Sequence, residues 1–240
     1  MGSLALRWAE NGHRYRLMEH FLYDSQAFEA FLRDHPHEAA EVHFLQSIVR
    51  AGTKVIDVGA SIGITVVAMA KEVGEDGEVY AFEPHPRYFT ILEENLSSNQ
   101  LNNVKAFKVA LTDHAGKIDF YQKELSSGIV FEEGAQKLEV ASTTIDKFLN
   151  EQKVQGIDVI DMDCEGSELL VLRGAEKTLQ TNKVKIFCEI HHDFLRQLGQ
   201  SVTDIVEYLQ NLGFEVHSVT PDELRMGDAL DRPEYIYARN

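Results

Sequence analysis

Short runs rich in β-branched and aromatic residues alternate with helical patterns along most of this chain, and that alternation calls for a largely parallel sheet. The runs fall at 54–58, 78–83, 104–110, 157–162, 184–190, 214–219 and 235–238. Val42, Leu45, Ile48 and Val49 form an apolar stripe before the first run, and a helical pattern from Ile64 to Val73 follows it. Arg87 to Asn99 reads as a helix behind Pro86, a residue suited to a first turn. Leu169, Leu172, Ala175 and Leu179 repeat at helical spacing. Ser201 and Asp204 make a capping box for Val202 to Leu212, with Gly213 as the stop. The last two runs are joined without a helix, so they should pair antiparallel. The expected architecture is an α/β domain with a doubly wound seven-stranded sheet, mostly parallel, ending in an antiparallel hairpin.

An insertion after the third run adds short strands at 117–121 and 138–141 and a short helix at 143–149; insertions there can reach the substrate side. Residues 1–37 read as an N-terminal extension and 38–240 as the domain itself. The extension carries Phe21, Leu22, Phe28, Phe31 and Leu32, an amphipathic stretch fit for a lid, a surface shared with a second copy in a homodimer, or a helix packed on the sheet. Apolar helical stripes mostly face cores, which favours packing. No apolar run approaches the ~18 residues of a membrane span, and Met1 to Leu6 lacks the regions of a signal peptide. Cys164 and Cys188 sit in apolar runs and read as reduced, buried thiols, so the expected setting is cytoplasmic. A formal net charge of −16 repels phosphate backbones and argues against nucleic acid as a partner. It suits a small-molecule or cationic substrate.

The sharpest local signal starts at Asp57, where an apolar strand ends in an acid and enters the loop Val58, Gly59, Ala60, Ser61, Ile62, Gly63. A helix follows at once, and its N-terminus offers free N–H groups to an anion. Dinucleotide-binding loops use Gly-x-Gly-x-x-Gly; here Val58 stands where the first of those glycines would be, which argues against a nicotinamide-dependent oxidoreductase. An acidic strand end beside a helix N-terminus suits the ammonium and carboxylate of S-adenosylmethionine. Glu83 ends the second run twenty positions after Gly63, a spacing at which an acid can accept from both ribose hydroxyls, and Pro84 fixes the turn beyond it. Ala110, Leu111 and Asp113 are then placed to flank the adenine.

A third signal is the acid-rich stretch Asp161, Asp163, Glu165. In extended chain these side chains project to one side, and carboxylates so close need a cation, a shared proton or a basic partner. Glu189 and His191, again two apart, end the neighbouring run. Asp163, Glu165, Glu189 and His191 should converge near the methyl donor as the catalytic set, with Asp163 also able to hold the cofactor amine. The same four could hold a divalent metal, since hard oxygens plus imidazole accept one.

These stretches resemble the FkbM family of methyltransferases. The likeness runs through Val55 to Gly63, Ala81 to Pro84, Asn103 to Leu111, Thr143 to Asp146, Ile157 to Glu168, Val171 to Ala175 and Cys188 to His191. It implies a Rossmann-like fold, S-adenosylmethionine as cofactor, and usually O-methylation of a hydroxyl on a sugar or another natural product. The cofactor role carries over onto Asp57, Gly59, Gly63 and Glu83, and the acidic strand-end role onto Asp163 and Glu165. Ser61 stands where the family often has Asn, and Asp161 where many members have Lys. His191, whose ordinary pKa is nearest neutrality, is the first expected base, with Glu165 or Asp163 second. An N-methyltransferase acting on a cationic amine and a non-catalytic protein that binds an adenosyl ligand are the alternatives.

Overall fold

The structure is a computed structural model that describes residues 4–8, 14–123, 126–223 and 225–240. A strand pair, β1 (Leu4–Trp8) and β2 (Arg14–Met18), comes first, then helices α1 (Gln26–Asp34) and α2 (Pro36–Ile48). The alternating unit follows as β3 (Lys54–Val58), α3 (Ile64–Val73), β4 (Glu78–Phe82), α4 (Pro86–Ser98) and β5 (Val104–Phe107). The insertion holds β6 (Ala110–Leu111), β7 (Gly116–Lys123), β8 (Ser126–Gly128) and β9 (Gln136–Thr143), and leads into α5 (Ile145–Gln152). The chain then returns through β10 (Val159–Met162), α6 (Glu168–Arg173), α7 (Glu176–Thr181), β11 (Lys185–Glu189), α8 (His192–Gln197) and α9 (Val202–Asn211). It ends with β12 (Glu215–Thr220), β13 (Arg225–Gly227) and β14 (Tyr235–Arg239).

The main sheet has the order β13-β12-β14-β11-β10-β3-β4-β5. All seven expected strands lie in it, and the short β13 extends one edge. β3, β4, β5, β10 and β11 run parallel, whereas β14 pairs antiparallel with both β11 and β12, as the missing helix required. The central strands are buried on both faces, which explains their unbroken apolar runs. Ile56, Tyr80, Ile160 and Ile186 point into a core closed by α5, α6, α7 and α9. Val55, Val79, Val159 and Phe187 point the other way, into a core closed by α1 to α4. Phe21, Phe28 and Phe31 belong to that second core, so the aromatic stretch before α2 packs on the sheet, while Leu22 stays exposed.

Two expected elements break where the chain has other obligations. The run at 104–110 leaves the main sheet after Phe107, and Ala110–Leu111 joins β9 in a second, four-stranded sheet of order β6-β9-β7-β8. The stripe from Leu169 to Leu179 splits into α6 and α7. At the break, a Cβ on Gly174 would lie 2.1 Å from the Thr112 carbonyl oxygen, so the chain passes there without a side chain. Asp146 anchors the restart. Its carboxylate accepts from the N–H groups of Lys177 (2.9 Å) and Thr178 (2.8 Å) and from the Thr178 hydroxyl (2.5 Å). Two of the stretches that carry the family resemblance, 143–146 and 171–175, therefore serve the scaffold.

Asn95, buried in α4, gathers distant backbone. Its amide donates to the carbonyls of Glu19 (2.9 Å) and Ile62 (2.8 Å) and accepts from the Phe21 N–H (3.1 Å). One side chain thus ties the approach to α1 against the loop between β3 and α3. Among the described residues no helix is long and apolar enough to cross a membrane. Asp146→Ala should lower unfolding stability by about 1–2 kcal/mol, the usual size of a lost cap. Chemical unfolding monitored by circular dichroism checks this; an unchanged midpoint would remove Asp146 from the scaffold role.

Candidate active site

Two cavities meet beyond the C-terminal ends of β3, β4 and β10, the edge at which open α/β sheets bind ligands. The larger, about 260 Å³, runs from Gly59 and Ala60 to Glu41, Glu189 and Tyr235. The smaller, about 90 Å³, lies among Glu83, Pro84, Ala110, Leu111, Phe120 and Ile129. Val58, Gly59, Ser61, Tyr88 and Asp163 line both.

The loop between β3 and α3 is shaped by its glycines. Gly59 has φ +94°, and a Cβ there would lie 1.8 Å from the Asp163 carbonyl oxygen. A side chain there would strike the chain's own backbone. Gly63, at φ +92°, is the N-cap of α3, and no side chain caps that helix. Its first-turn N–H groups are left for a ligand or water. Glu83 holds the loop from the side: its two carboxylate oxygens accept from the N–H of Ser61 (2.8 Å) and of His85 (2.7 Å). Burial pushes the Glu83 carboxyl up to about 7, against the pull of those two N–H groups.

Asp57, only 2% exposed, accepts from the Thr65 hydroxyl at 3.1 Å. Asp161 sits beside it on the adjacent strand, in register. Burial, and then the charge of Asp57, push the Asp161 carboxyl well up. Burial pushes the Asp57 carboxyl up to about 7 as well, so the two acids are suited to share a proton.

Asp163, Glu165, Glu189 and His191 converge as expected. His191 Nε2 is 3.4 Å from Asp163, 3.9 Å from Glu189 and 4.0 Å from Glu165. Its Nδ1 donates to Glu168 at 2.8 Å. Burial by itself would lower the imidazole pKa, but the Glu168 bond and the charges of Asp163, Glu168 and Glu165 push it up to about 10. At neutral pH this ring is a cation, so its expected part as the base does not fit its surroundings. Glu189 lines the larger cavity, and burial with the Asp163 charge pushes it up to about 8.

A further cluster closes the far end of the larger cavity. The Tyr235 hydroxyl donates to Glu41 at 2.6 Å and lies 2.5 Å from His37 Nε2. Burial pushes Glu41 up to about 7. Glu41 hides in the amphipathic pattern of α2 and Tyr235 in an apolar run, so nothing local marks either. Asp163, Glu189 and His191, and likewise His37, Glu41 and Glu189, bring ligand atoms within 4.8 Å of one another, a spacing a hard cation accepts. Both histidines already have protein partners. Asp113 does not reach either cavity; it pairs with His114 at the surface. Cys188 is buried in β11 as expected. Cys164 lies past the end of β10 and lines the smaller cavity.

The sheet order, mostly parallel with an antiparallel end, defines an α/β protein of the Rossmann-like class. The chain belongs to the FkbM methyltransferase family: the methyltransferase FkbM domain matches residues 57–216. It is 29% identical over 122 residues to the protein-L-isoaspartate O-methyltransferase of Caenorhabditis elegans, covering 50% of this chain and 51% of that protein. It is 28% identical over 172 residues to the hexuronic acid methyltransferase AglP of Haloferax volcanii, covering 70% and 66%. The chain thus spans about half to two thirds of the length of these relatives. Its fold matches that of a Streptococcus mutans chain assigned as a methyltransferase and solved in complex with SAH, with a TM-score of 0.51, 12% identity, and coverage of 84% and 96%.

Gly59→Ala should destabilise the fold by roughly 1–3 kcal/mol, because both its φ and its space are forbidden to a Cβ. Wild-type stability in urea would show that the loop does not lie under Asp163. A second expectation concerns pH. Glu41, Asp57, Glu83 and Glu189 are all pushed above their ordinary values, so the native state holds extra protons from about pH 4 to 8. His191 does so from 6.5 to about 10. In both windows the native state binds more protons than the unfolded one, so stability falls as pH rises. The ligand-free protein should melt at a higher temperature at pH 6 than at pH 8, and Glu189→Gln should narrow the difference. A melting temperature that rises between pH 6 and 8 contradicts the assignment.

Proposed function

We propose that the chain binds S-adenosylmethionine across the two cavities and transfers its methyl group to a hydroxyl oxygen of a small molecule. The observation that carries this reading is Glu83. A carboxylate fixed by two backbone N–H groups still has lone pairs for two hydroxyl donors, and it lines the smaller cavity. Leu111, Phe120 and Ile129 give that cavity the apolar walls an adenine ring needs. Asp163 and the uncapped start of α3 suit the ammonium and carboxylate of the methionine part, and Asp57 with Thr65 braces the loop between them. When bound, the cofactor supplies an electrophilic methyl group on a cationic sulfur. The SAH complex of the Streptococcus mutans fold relative and the O-methyltransferase and hexuronic acid methyltransferase names of the sequence relatives support the reading.

The acceptor belongs in the larger cavity. Holding its oxygen in line with the methyl group supplies much of the rate. Glu189 takes the hydroxyl proton in its ionised form, the fraction of which grows as pH rises toward its pKa of about 8. His191 stays protonated and balances the acids around it. Among the described residues no Lys or Arg lines either cavity, whereas Glu41, Asp57, Asp161, Asp163 and Glu189 line the larger one. This favours a neutral or cationic acceptor over an anion such as a hexuronic acid. The same lining gives N-methylation of an amine its place as the second reading.

Calorimetry should show SAH binding and no NAD binding. Glu83→Ala should weaken SAH binding ten- to a hundredfold, the effect of losing a charge-assisted hydrogen bond of roughly 1.5–3 kcal/mol. NAD binding without SAH binding sinks the reading. Turnover measured on hydroxyl acceptors matched in size and differing in charge should rank cationic and neutral above anionic. Glu189→Gln should cut that turnover about 10²–10⁴-fold while leaving SAH affinity unchanged. SAH binding with no transfer to any acceptor would favour an adenosyl-ligand-binding protein.

A further inference from the structure

Glu168, the first residue of α6, has no place in the reading above, and its surroundings are unusual. The side chain is 0% exposed. Oε1 accepts from His191 Nδ1 at 2.8 Å and from the Gly166 N–H at 3.1 Å, and the His191 N–H lies 3.4 Å away. Oε2 is buried with no hydrogen-bond partner. A buried carboxylate with a bare oxygen carries a desolvation cost that only the bonds at Oε1 offset.

The local backbone is committed to this arrangement. Glu165 and Gly166 both have positive φ, at +49° and +98°. A Cβ on Gly166 would lie 2.6 Å from the Phe194 side chain, so the turn is pressed against α8. The Phe194 ring also stacks on the His191 ring, at 6.1 Å between centroids. The imidazole is therefore held by a ring on one side and a carboxylate at Nδ1, and Nε2 can point only toward the cavity acids. Those acids come from two strand ends: Asp163 and Glu165 beyond β10, and Glu189 at the end of β11. On its far side Glu189 also meets His37, at 3.9 Å.

We infer that Glu168 is a positioning residue for methyl transfer: through His191 it fixes the placement of Asp163, Glu165 and Glu189 at one end of the larger cavity. This rests on the proposed function, in which Glu189 is the base. The logic is that of an orienting acid behind a histidine, in which the buried partner fixes which ring nitrogen faces the working groups. Without Glu168 the ring is free to turn, and three carboxylates that its cation gathers repel one another.

The test uses the whole chain with histidine labelled in ¹⁵N and aspartate and glutamate carboxyls labelled in ¹³C. In the wild type the His191 Nδ1 proton should give a protected, slowly exchanging resonance. Glu168→Met should lose that resonance, and Glu168→Gln should move the ring ¹⁵N shifts. Both should displace the carboxyl signals of Asp163 and Glu189. Glu168→Gln keeps a polar partner for His191 and should fold as the wild type does, whereas Glu168→Met leaves the His191 and Gly166 donors unpaired and should melt lower. In the acceptor assay Glu168→Gln should lower kcat by a larger factor than it raises the KM for S-adenosylmethionine, whose ammonium meets the displaced Asp163. A Glu168→Gln protein with wild-type His191, Asp163 and Glu189 signals overturns the inference, even if the methionine variant fails to fold. Failure of the wild type to bind SAH sinks the methyl-transfer reading alone, because the nuclear resonances report the positioning independently.

Discussion

The passage of the Asp163 backbone beneath Gly59 governs the geometry of this site. The Asp163 N–H donates to the Val58 carbonyl at 3.0 Å, and the Asp163 carbonyl fills the space a Gly59 side chain would need. β3 and β10 are thereby locked together one residue beyond their last ladder pair, Met162 with Val58. Everything downstream inherits that register. The loop from Gly59 to Gly63 is aimed at Glu83, and the turn after Asp163 is aimed at His191. A parallel sheet supplies only evenly spaced strand ends; this contact converts two of them into the shared wall of two cavities.

Concentrating acids at one sheet edge creates a problem that the structure meets with raised carboxyl pKa values and a histidine. Burial and the charge of Asp57 push the Asp161 carboxyl up, and Glu41 accepts from a tyrosine hydroxyl. His191 lies within 4.0 Å of four carboxylates, Asp163, Glu165, Glu168 and Glu189. Coulomb repulsion at these distances is worth several kcal/mol at a protein surface, so an unprotonated cluster would not persist. A binding partner with a positive charge meets a site already organised to receive one.

The sheet was legible because its signals are local. Seven apolar runs and a capping box at Ser201 are each read within a few residues, and each is present, whereas the connection before the last strand, read as a plain loop, holds a 3-10 turn at Pro221–Glu223 and the short β13. The two breaks were not legible, because their causes are distant: Gly174 is stopped by Thr112, and the run after Phe107 is drawn away by β9. The same distinction holds at the site. Asp57, Glu83, Asp163 and Glu189 stand at strand ends, where period and spacing give them away. Glu168 stood in plain view inside an acid-rich stretch, yet its burial depends on the fold of α8. His191 was recognisable as a participant, but its charge state is set by four carboxylates from three elements, and no spacing rule predicts that sum.

The division between the matched family segment and the rest of the chain is also a division of chemistry. Residues 57–216 contain the loop, Glu83 and the strand-end acids. His37, Glu41 and Tyr235 lie outside that span, and they close the end of the larger cavity farthest from Glu83. The Tyr235 hydroxyl bonds to Glu41 and meets the exposed His37, so Glu41 and Tyr235 are the pair whose change leaves a buried or half-buried partner unsatisfied. Glu189 joins the two halves, since it faces His191 on one side and His37 on the other. A fold that fixes its cofactor loop by backbone contact is free to vary the opposite wall, because side chains on α2 and β14 carry no part of the Gly59–Asp163 lock. If the larger cavity takes the acceptor as proposed, positions 37, 41 and 235 are where its wall can vary while the segment that defines the family stays as it is.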